Sequence, residues 1–302
     1  MRFSIFQDSA LGARTVNQDR MGYCFTRDSL LMLVADGMGG HLRGEVAAQL
    51  AIQTAAAVFQ RSARPLLVEP VHFLDQALRQ AHREIMRYQA LHGMPEAPRT
   101  TVVACVVQQG RAWWAHAGDS RFYWIRKGRL LVRTRDHSKV ESLVALGLLK
   151  PHEQEQHPER NKVLNCLGSP FEPTIEIAPD VDLQPGDTLL LCSDGLWSAI
   201  PEAELCRRIA GGPVGTVVPQ LVAQAVAAAG RSADNTTALA MTWEGDERGI
   251  DTRSGPALPE GAVTSTIAYG EVDAGPEPEL SEEEIERTIS EIRSAIEKSG
   301  AR

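Results

Sequence analysis

Short continuous apolar runs recur along the chain and are separated by turn residues. LLMLVAD (30–36) and TLLLC (188–192) have the length and aliphatic content of strands that are buried on both faces. Between residues 100 and 136 several strand-like segments follow one another closely, and this spacing favours antiparallel pairing over crossover helices. The pattern predicts antiparallel sheets within residues 1–243.

Other segments have helical patterns. Residues 44–60 are rich in alanine, and helices are also predicted over 201–210 and 217–230. A long helix is predicted where apolar residues recur at spacings of 4, 3 and 4 on one face, namely Leu74, Leu78, Ala81 and Ile85. The chain therefore combines sheets with helices.

Residues 138–170 interrupt this alternation. The segment begins as a short predicted helix and then becomes polar and irregular. Long excursions of this kind are often functional, so we interpret it as a surface flap.

The net charge of −8 is unevenly distributed. Residues 244–302 hold 15 acidic and 6 basic residues, whereas the remainder holds 24 and 25. The body is thus close to neutral and has no basic stripe of the kind that binds nucleic acid. We expect no nucleic-acid partner.

The acidic C-terminal part divides into two predicted segments. Residues 244–280 are rich in Gly, Pro and acids, which is typical of a linker. Residues 281–299 predict an amphipathic helix that starts at a capping box formed by Ser281 and Glu284. This helix either docks on its own domain or binds a protein partner, and the acidic segment is either a tether or autoinhibitory.

The five cysteines are scattered, and most lie inside apolar runs, which is typical of buried free thiols. The first twenty residues contain no continuous apolar segment of a signal peptide. No stretch approaches eighteen uncharged apolar residues, so we expect no membrane span. These features predict a cytoplasmic protein.

Three aspartates stand at the ends of predicted strands. Asp36 follows an aliphatic strand and precedes GMGG, and Asp194 repeats the pattern in TLLLCSDG. Asp-Gly alone is foremost a turn signal, but Asp234 also stands just before a strand. If the three converge, cations must neutralise them. Oxygen ligands favour Mg²⁺ or Mn²⁺ over Zn²⁺.

Seven short motifs occur in a fixed order, namely RTVNQD, VADGMGGH, TT, AHAGDSR, RDHS, LCSDGLWS and DNTT. In this order, over about residues 1–243, the chain resembles the bacterial metal-dependent serine/threonine protein phosphatases of type 2C (PPM). The resemblance implies an α+β fold, a four-layer αββα sandwich of two antiparallel β-sheets flanked by helices.

The resemblance also implies roles for individual metal ligands. Asp36 resembles the carboxylate that bridges two metal ions, and Gly37 the residue that binds through its carbonyl oxygen. Asp194 and Asp234 resemble ligands of the first ion, and Asp119 resembles the acid that helps hold a weaker third ion. The implied cofactors are Mn²⁺ or Mg²⁺, two per site.

Two further residues match the implied chemistry. Arg14 resembles the arginine that binds the phosphate, a task that suits the guanidinium fork. Asp19 resembles an acid that orients metal-bound water. The implied reaction is hydrolysis of phosphoserine or phosphothreonine by a metal-activated water, without a phosphoenzyme.

The chain departs from eukaryotic relatives at two positions. Gln18 replaces a glutamate that contributes to the second metal there, and Met38 replaces a histidine proposed as the general acid. His41, three residues later, is either a substitute acid or a structural histidine. We interpret His137 in RDHS as a hydrogen-bonded structural group.

Expected partners are phosphorylated proteins and a bacterial Ser/Thr kinase whose action the enzyme reverses in signal transduction. Two other functions stay open from the sequence. One is a non-catalytic binding module of the same fold, and the other is hydrolysis of a non-protein phosphoester.

Overall fold

Two antiparallel β-sheets face each other and carry helices on their outer faces. A computed structural model of the chain describes residues 1–38, 43–245 and 263–264. The strands are β1 (Arg2–Ala10), β2 (Asp19–Phe25), β3 (Ser29–Met38), β4 (Arg99–Thr100), β5 (Val102–Gln108), β6 (Arg111–Ala117), β7 (Arg121–Arg126), β8 (Arg129–Arg133), β9 (Glu176–Ile177), β10 (Val181–Asp182), β11 (Thr188–Cys192), β12 (Thr236–Gly245) and β13 (Val263–Thr264). The helices are α1 (Gly44–Ser62), α2 (Pro70–Leu91), α3 (Lys139–Ala145), α4 (Asp194–Trp197), α5 (Glu202–Ile209) and α6 (Val214–Ala229).

The first sheet has the strand order β1-β12-β11-β7-β8. The second has the order β10-β6-β5-β3-β2-β13, with β4 paired to β3 and β9 paired to β6. Helices α1 and α2 cover the second sheet, and α5 and α6 cover the first. The predicted α+β fold of four layers is confirmed.

Strand β3 shows why its sequence is a continuous aliphatic run. Leu31 and Leu33 pack beneath α1 and α2, whereas Leu30 and Met32 point the other way, into the layer between the sheets. A strand that is buried on both faces has no position for a polar side chain. The run ends where burial gives way to the acidic residue Asp36.

The layer between the sheets is closed by large side chains from both. Trp114 of β6 stacks on Phe122 of β7, with ring centroids 4.4 Å apart. Trp243 and Met241 of β12 fill the same layer. Because β6 and β7 belong to different sheets, this stacking fixes the separation of the sheets.

The predicted flap is tied at its base. Ser138 and Val163 form an antiparallel bridge, and the Lys139 amide donates to the Lys162 carbonyl at 2.9 Å. Helix α3 lies just inside this bridge, as the sequence predicts for the start of the segment. The excursion therefore leaves and re-enters the sandwich at one point.

Most of residues 244–280 and all of 281–299 lie outside the described residues, so the linker and the C-terminal helix stay predictions. Within the predicted linker, Val263 and Thr264 pair antiparallel with Cys24 and Tyr23 at the edge of the second sheet. Among the described helices, none combines the length and apolar character that crossing a bilayer requires.

A buried acid anchors the first sheet far from the aspartates that end its strands. Arg126 of β7 donates to both oxygens of Asp187 at 2.7 Å, and Trp124 Nε1 donates at 3.0 Å. Burial alone would raise the pKa of Asp187, but these bonds and the Gln184 amide lower it below its ordinary value. The ionised carboxylate therefore stabilises the fold.

We expect Asp187→Asn to lower the free energy of unfolding by roughly 2–3 kcal/mol at pH 7, because Arg126 loses its anionic partner. The lowered pKa means that this stability is present above the unfolded pKa of about 4 and disappears as pH falls through the folded value. Urea denaturation at pH 7 and below pH 4 measures the difference. Asp182→Asn, at a largely exposed acid, is the control. A difference that does not change with pH would contradict the assignment.

Candidate metal centre

Acidic residues from both sheets meet at one end of the sandwich. Asp36 ends the buried part of β3, Asp194 opens α4 two residues after β11, and Asp234 stands two residues before β12. Since β11 and β12 are antiparallel neighbours, the end of one and the start of the other lie at the same edge. Together with Arg14, Gly37 and Asp119, the three acids line one cleft of about 690 Å³.

Asp19 lies beneath this cleft. It is the register partner of Asp36 across β2 and β3, and only 4% of its surface is exposed. Ser193 donates a hydrogen bond of 2.7 Å to its Oδ2. Its Oδ1 is buried with no hydrogen-bond partner among the described residues, so one carboxylate oxygen is left for a ligand.

Asp119 lies on the connection from β6 to β7, where the chain passes from one sheet to the other. Its backbone carbonyl accepts a hydrogen bond of 3.0 Å from Trp197 Nε1. The guanidinium of Arg121 lies 3.5 Å from the centroid of the Trp197 ring and pairs with Asp136. These contacts hold the crossing segment in place.

Burial and mutual repulsion raise the pKa values of four of these acids. The pKa of Asp19 rises to about 6, chiefly by burial, and that of Asp119 to about 7 by burial and by the charge of Asp136. The pKa values of Asp36 and Asp194 are well above normal for the same reasons. Only a nearby cation makes full ionisation favourable.

Two threonines hold the backbone of Asp36, a role that we did not predict. Thr100 Oγ1 donates to the Asp36 carbonyl at 2.9 Å, and Thr101 Oγ1 accepts from the Asp36 amide at 3.2 Å. Ser120 bonds the Thr101 hydroxyl at 2.6 Å. In the sequence the pair TT is one of the seven ordered motifs, and its pattern does not indicate these contacts.

Gly37 and Gly44 bring the start of α1 against the end of β3. A Cβ on residue 37 would lie 2.3 Å from the Gly44 carbonyl oxygen, and one on residue 44 would lie 2.6 Å from the Gly37 carbonyl carbon. Only two glycines allow so close an approach. The Gly37 carbonyl, predicted as a ligand, is positioned by this contact.

Arg14 faces the acids directly. Its Nε and Nη2 donate to the two oxygens of Asp234 at 2.8 and 2.7 Å. The side chain is more than half exposed, and it also lines the cleft. A guanidinium held at this point is suited to a phosphate in the cleft.

The cleft is also lined by residues outside the seven sequence motifs, namely Arg43, Glu45, Asn161 and Val163. Asn161 and Val163 belong to the flap, so the predicted excursion reaches the site. Gln18 is present too, and its side chain turns toward Glu45. His41 lies outside the described residues, so its role stays a prediction.

A second group of ligand-type residues lies elsewhere. One ligand atom each from His116, His137 and Glu176 lies within 4.8 Å of the others. His137 Nδ1 accepts from the Gly118 amide and from Asn165 Nδ2, whose orientation is fixed because Asn165 exchanges two bonds with Thr174. The ring proton of His137 is therefore on Nε2, directed at Glu176.

A metal ion could bind His137 Nε2 only after the Nε2 proton had left. The proton cannot move to Nδ1, because Nδ1 already accepts hydrogen bonds from two N–H groups. The cluster is thus a hydrogen-bonded array that ties the flap to Gly118, next to Asp119. His137 has the structural contacts that the sequence interpretation assigned to it.

The aspartate cleft, by contrast, fits divalent cations. Its donors are carboxylate oxygens and a backbone carbonyl, the ligands that Mg²⁺ and Mn²⁺ prefer. Asp19 has a buried, unpartnered oxygen, and the pKa values of Asp19 and Asp36 are raised, so a bound cation would stabilise the ionised acids. Histidine and thiolate ligands, which zinc favours, do not line the described part of the cleft.

Comparison with known proteins gives consistent matches. The family model described as protein phosphatase 2C matches residues 6–212. The serine/threonine phosphatase stp of Listeria innocua is 33% identical over 192 residues, which cover 63% of this chain and 75% of that protein. The serine/threonine protein phosphatase PstP of Mycobacterium tuberculosis is 32% identical over 240 residues, which cover 79% of this chain and 44% of that protein.

Solved structures agree. The crystal structure of the M. tuberculosis phosphatase PstP/Ppp superposes with a TM-score of 0.71 at 30% identity, covering 81% of this chain and all of that one. The catalytic domain of PstP in complex with two manganese ions superposes with a TM-score of 0.66 at 30% identity, covering 80% of this chain and 97% of that one.

We expect Gly44→Ala to destabilise the protein by about 1–3 kcal/mol, because its Cβ forces α1 away from Gly37. Thermal unfolding followed by circular dichroism would then show a midpoint lower by several degrees. Gly215→Ala is a matched control, since Gly215 also lies in the first turn of a helix and its Cβ would lie 3.6 Å from Phe6, an ordinary contact. Equal midpoints for the two variants would contradict the close-packing argument.

Proposed function

The chain belongs to the protein phosphatase 2C family, and we propose that its aspartate cleft is where phosphoserine and phosphothreonine of protein substrates are hydrolysed. The enzyme is a metal-dependent serine/threonine protein phosphatase. One observation carries the assignment of the cleft: acids from both sheets converge beside Arg14 around a backbone carbonyl. No observation favours a non-catalytic module of the same fold.

The proposed ligands are those of the sequence analysis. Asp36 would hold two ions, and the Gly37 carbonyl would be a further ligand. Asp194 and Asp234 would hold the first ion, and Asp119 a weaker third. Manganese is supported as an ion by the two manganese ions of the PstP neighbour, and Mg²⁺ suits the same oxygen donors. Bound divalent ions supply a nucleophilic water at neutral pH and neutralise phosphoryl charge.

The chain's own groups bind and orient. Arg14 lines the cleft, and its guanidinium fork, which here pairs with Asp234, would turn to two phosphate oxygens when substrate binds. Asp19, fixed by Ser193, keeps an acceptor oxygen below the cleft that orients water. His41 stays a candidate acid for the leaving alkoxide.

No protein nucleophile is required. Cys192 is fully buried at the end of β11, two residues from Asp194, and burial raises the pKa of its thiol far above neutral. A protonated, buried thiol is a poor nucleophile. This supports direct hydrolysis without a phosphoenzyme.

We further propose that the enzyme acts in the cytoplasm, where it removes phosphate groups added by a bacterial Ser/Thr kinase. All five cysteines are buried and unpaired, and this suits a reducing compartment. The flap residues at the cleft, Asn161 and Val163, support recognition of a protein substrate at the rim.

We expect Mn²⁺-dependent phosphate release from a phosphothreonine peptide, reduced more than about a hundredfold in Asp36→Asn and in Asp194→Asn because each loses a ligand charge. Asp75→Asn, at a helix-surface acid paired with Arg79, is the control and should keep full activity. Parallel assays with small phosphoesters test the substrate class. A folded, Mn²⁺-loaded wild type that releases nothing from the peptide, or that prefers small phosphoesters, would overturn the proposal.

We expect Arg14→Lys to raise KM for the phosphopeptide by about tenfold, because a point charge replaces a bidentate fork. Competitive inhibition by inorganic phosphate should weaken in parallel. Arg79→Lys, at an arginine on the surface of α2, is a matched control that should leave KM unchanged. If KM and phosphate inhibition both stay at wild-type values, Arg14 does not bind the phosphate.

A further inference from the structure

Gln18 lines the cleft with a neutral amide, so residue 18 adds no charge to the side of the cleft that the family resemblance assigns to a second ion. Gln18 Nε2 donates a hydrogen bond of 3.2 Å to Glu45 Oε2. Glu45 lines the same cleft as Gln18, Asp36 and Gly37. A carboxylate is therefore present next to the amide, delivered by a different element.

Gly37 fixes the positions of both residues. Its amide donates to the Gln18 carbonyl at 3.2 Å, which holds the Gln18 backbone against the end of β3. Gly44 also packs on Gly37, and Glu45 is the next residue, in the first turn of α1. Gln18 and Glu45 are thus both held next to Gly37, whose carbonyl is a proposed metal ligand.

The remaining contacts of Glu45 leave it available to a cation. Its Oε1 lies 3.9 Å from Arg43 Nε, a long contact at an exposed side chain, and such pairs contribute little. About a quarter of the Glu45 side chain is exposed. Removing its charge does not require the core to repack.

We propose that Glu45 supplies the carboxylate that Gln18 lacks on the second-ion side of the cleft, and that Gln18 orients the Glu45 side chain. The inference rests on the proposed metal site. Glu45 acts on the ion's affinity and on its surrounding water, since carboxylates beyond the direct ligands tune metal affinity by 10–100-fold. The amide holds Glu45 Oε2 by a hydrogen bond, so the two residues form one unit.

A structural role makes a different prediction. An acid in the first turn of a helix interacts favourably with the helix dipole, and its loss would lower the thermal midpoint of the metal-free protein. It would not change the stepwise affinity for Mn²⁺. Metal affinity therefore separates the two roles.

The test is calorimetric titration of the metal-free chain with MnCl₂. We expect Glu45→Gln to weaken the second binding step about tenfold and to leave the first step unchanged. The transposed double variant Gln18→Glu/Glu45→Gln places the carboxylate at residue 18 instead and should recover most of the lost affinity. Glu84→Gln, at a surface acid of α2 paired with Arg87, is the matched control.

The outcomes distinguish the two proposals. Wild-type protein that binds no Mn²⁺ overturns the proposed metal site itself. Wild-type protein that binds two ions, with both steps unaltered in Glu45→Gln, overturns only the role of Glu45. A fall in affinity that the transposed variant does not recover would also overturn it, because the effect would then come from the start of α1.

Discussion

Repulsion between carboxylates is the constraint that this structure has to withstand. Asp19 and Asp36 stand opposite each other in register, and Asp194 lies in the same cluster. Burial and mutual repulsion raise the pKa values of these acids, so a nearby cation favours their ionised forms. The aliphatic layers on both faces of β3 provide the packing that holds these acids together, since apolar burial does not depend on the charge state of the cleft.

The weakest point of such an arrangement is the place where the chain crosses between sheets. Asp119 lies on that crossing, and its position depends on neighbours that carry no metal-binding chemistry. Trp197 reaches the Asp119 carbonyl from α4, and Arg121 stacks on Trp197 while it pairs with Asp136. Because α4 begins at Asp194, one short helix turn links two acids of the cleft.

The sequence predicted the elements and the convergence of strand ends because both depend on local patterns. Continuous aliphatic runs identify strands such as β3, and an Asp-Gly after such a run places the acid at the edge. The clamp of Thr100 and Thr101 on Asp36 depends on the pairing of β3 with β4 and β5, which no local pattern states. The hydrogen bond between Gln18 and Glu45 forms because Gly37 and Gly44, which are distant from Gln18 in sequence, pack against each other.

The stem of the flap has a consequence for how this enzyme can vary. The bridge between Ser138 and Val163 and the hydrogen bond between Lys139 and Lys162 close the base of the flap. Asn161 and Val163, which lie at this base, line the cleft. On the other side, Leu167 is bridged to Thr100, so the chain is fixed again a few residues later. Because the flap is held at both ends, its length and composition can change while the acids of the cleft keep their positions.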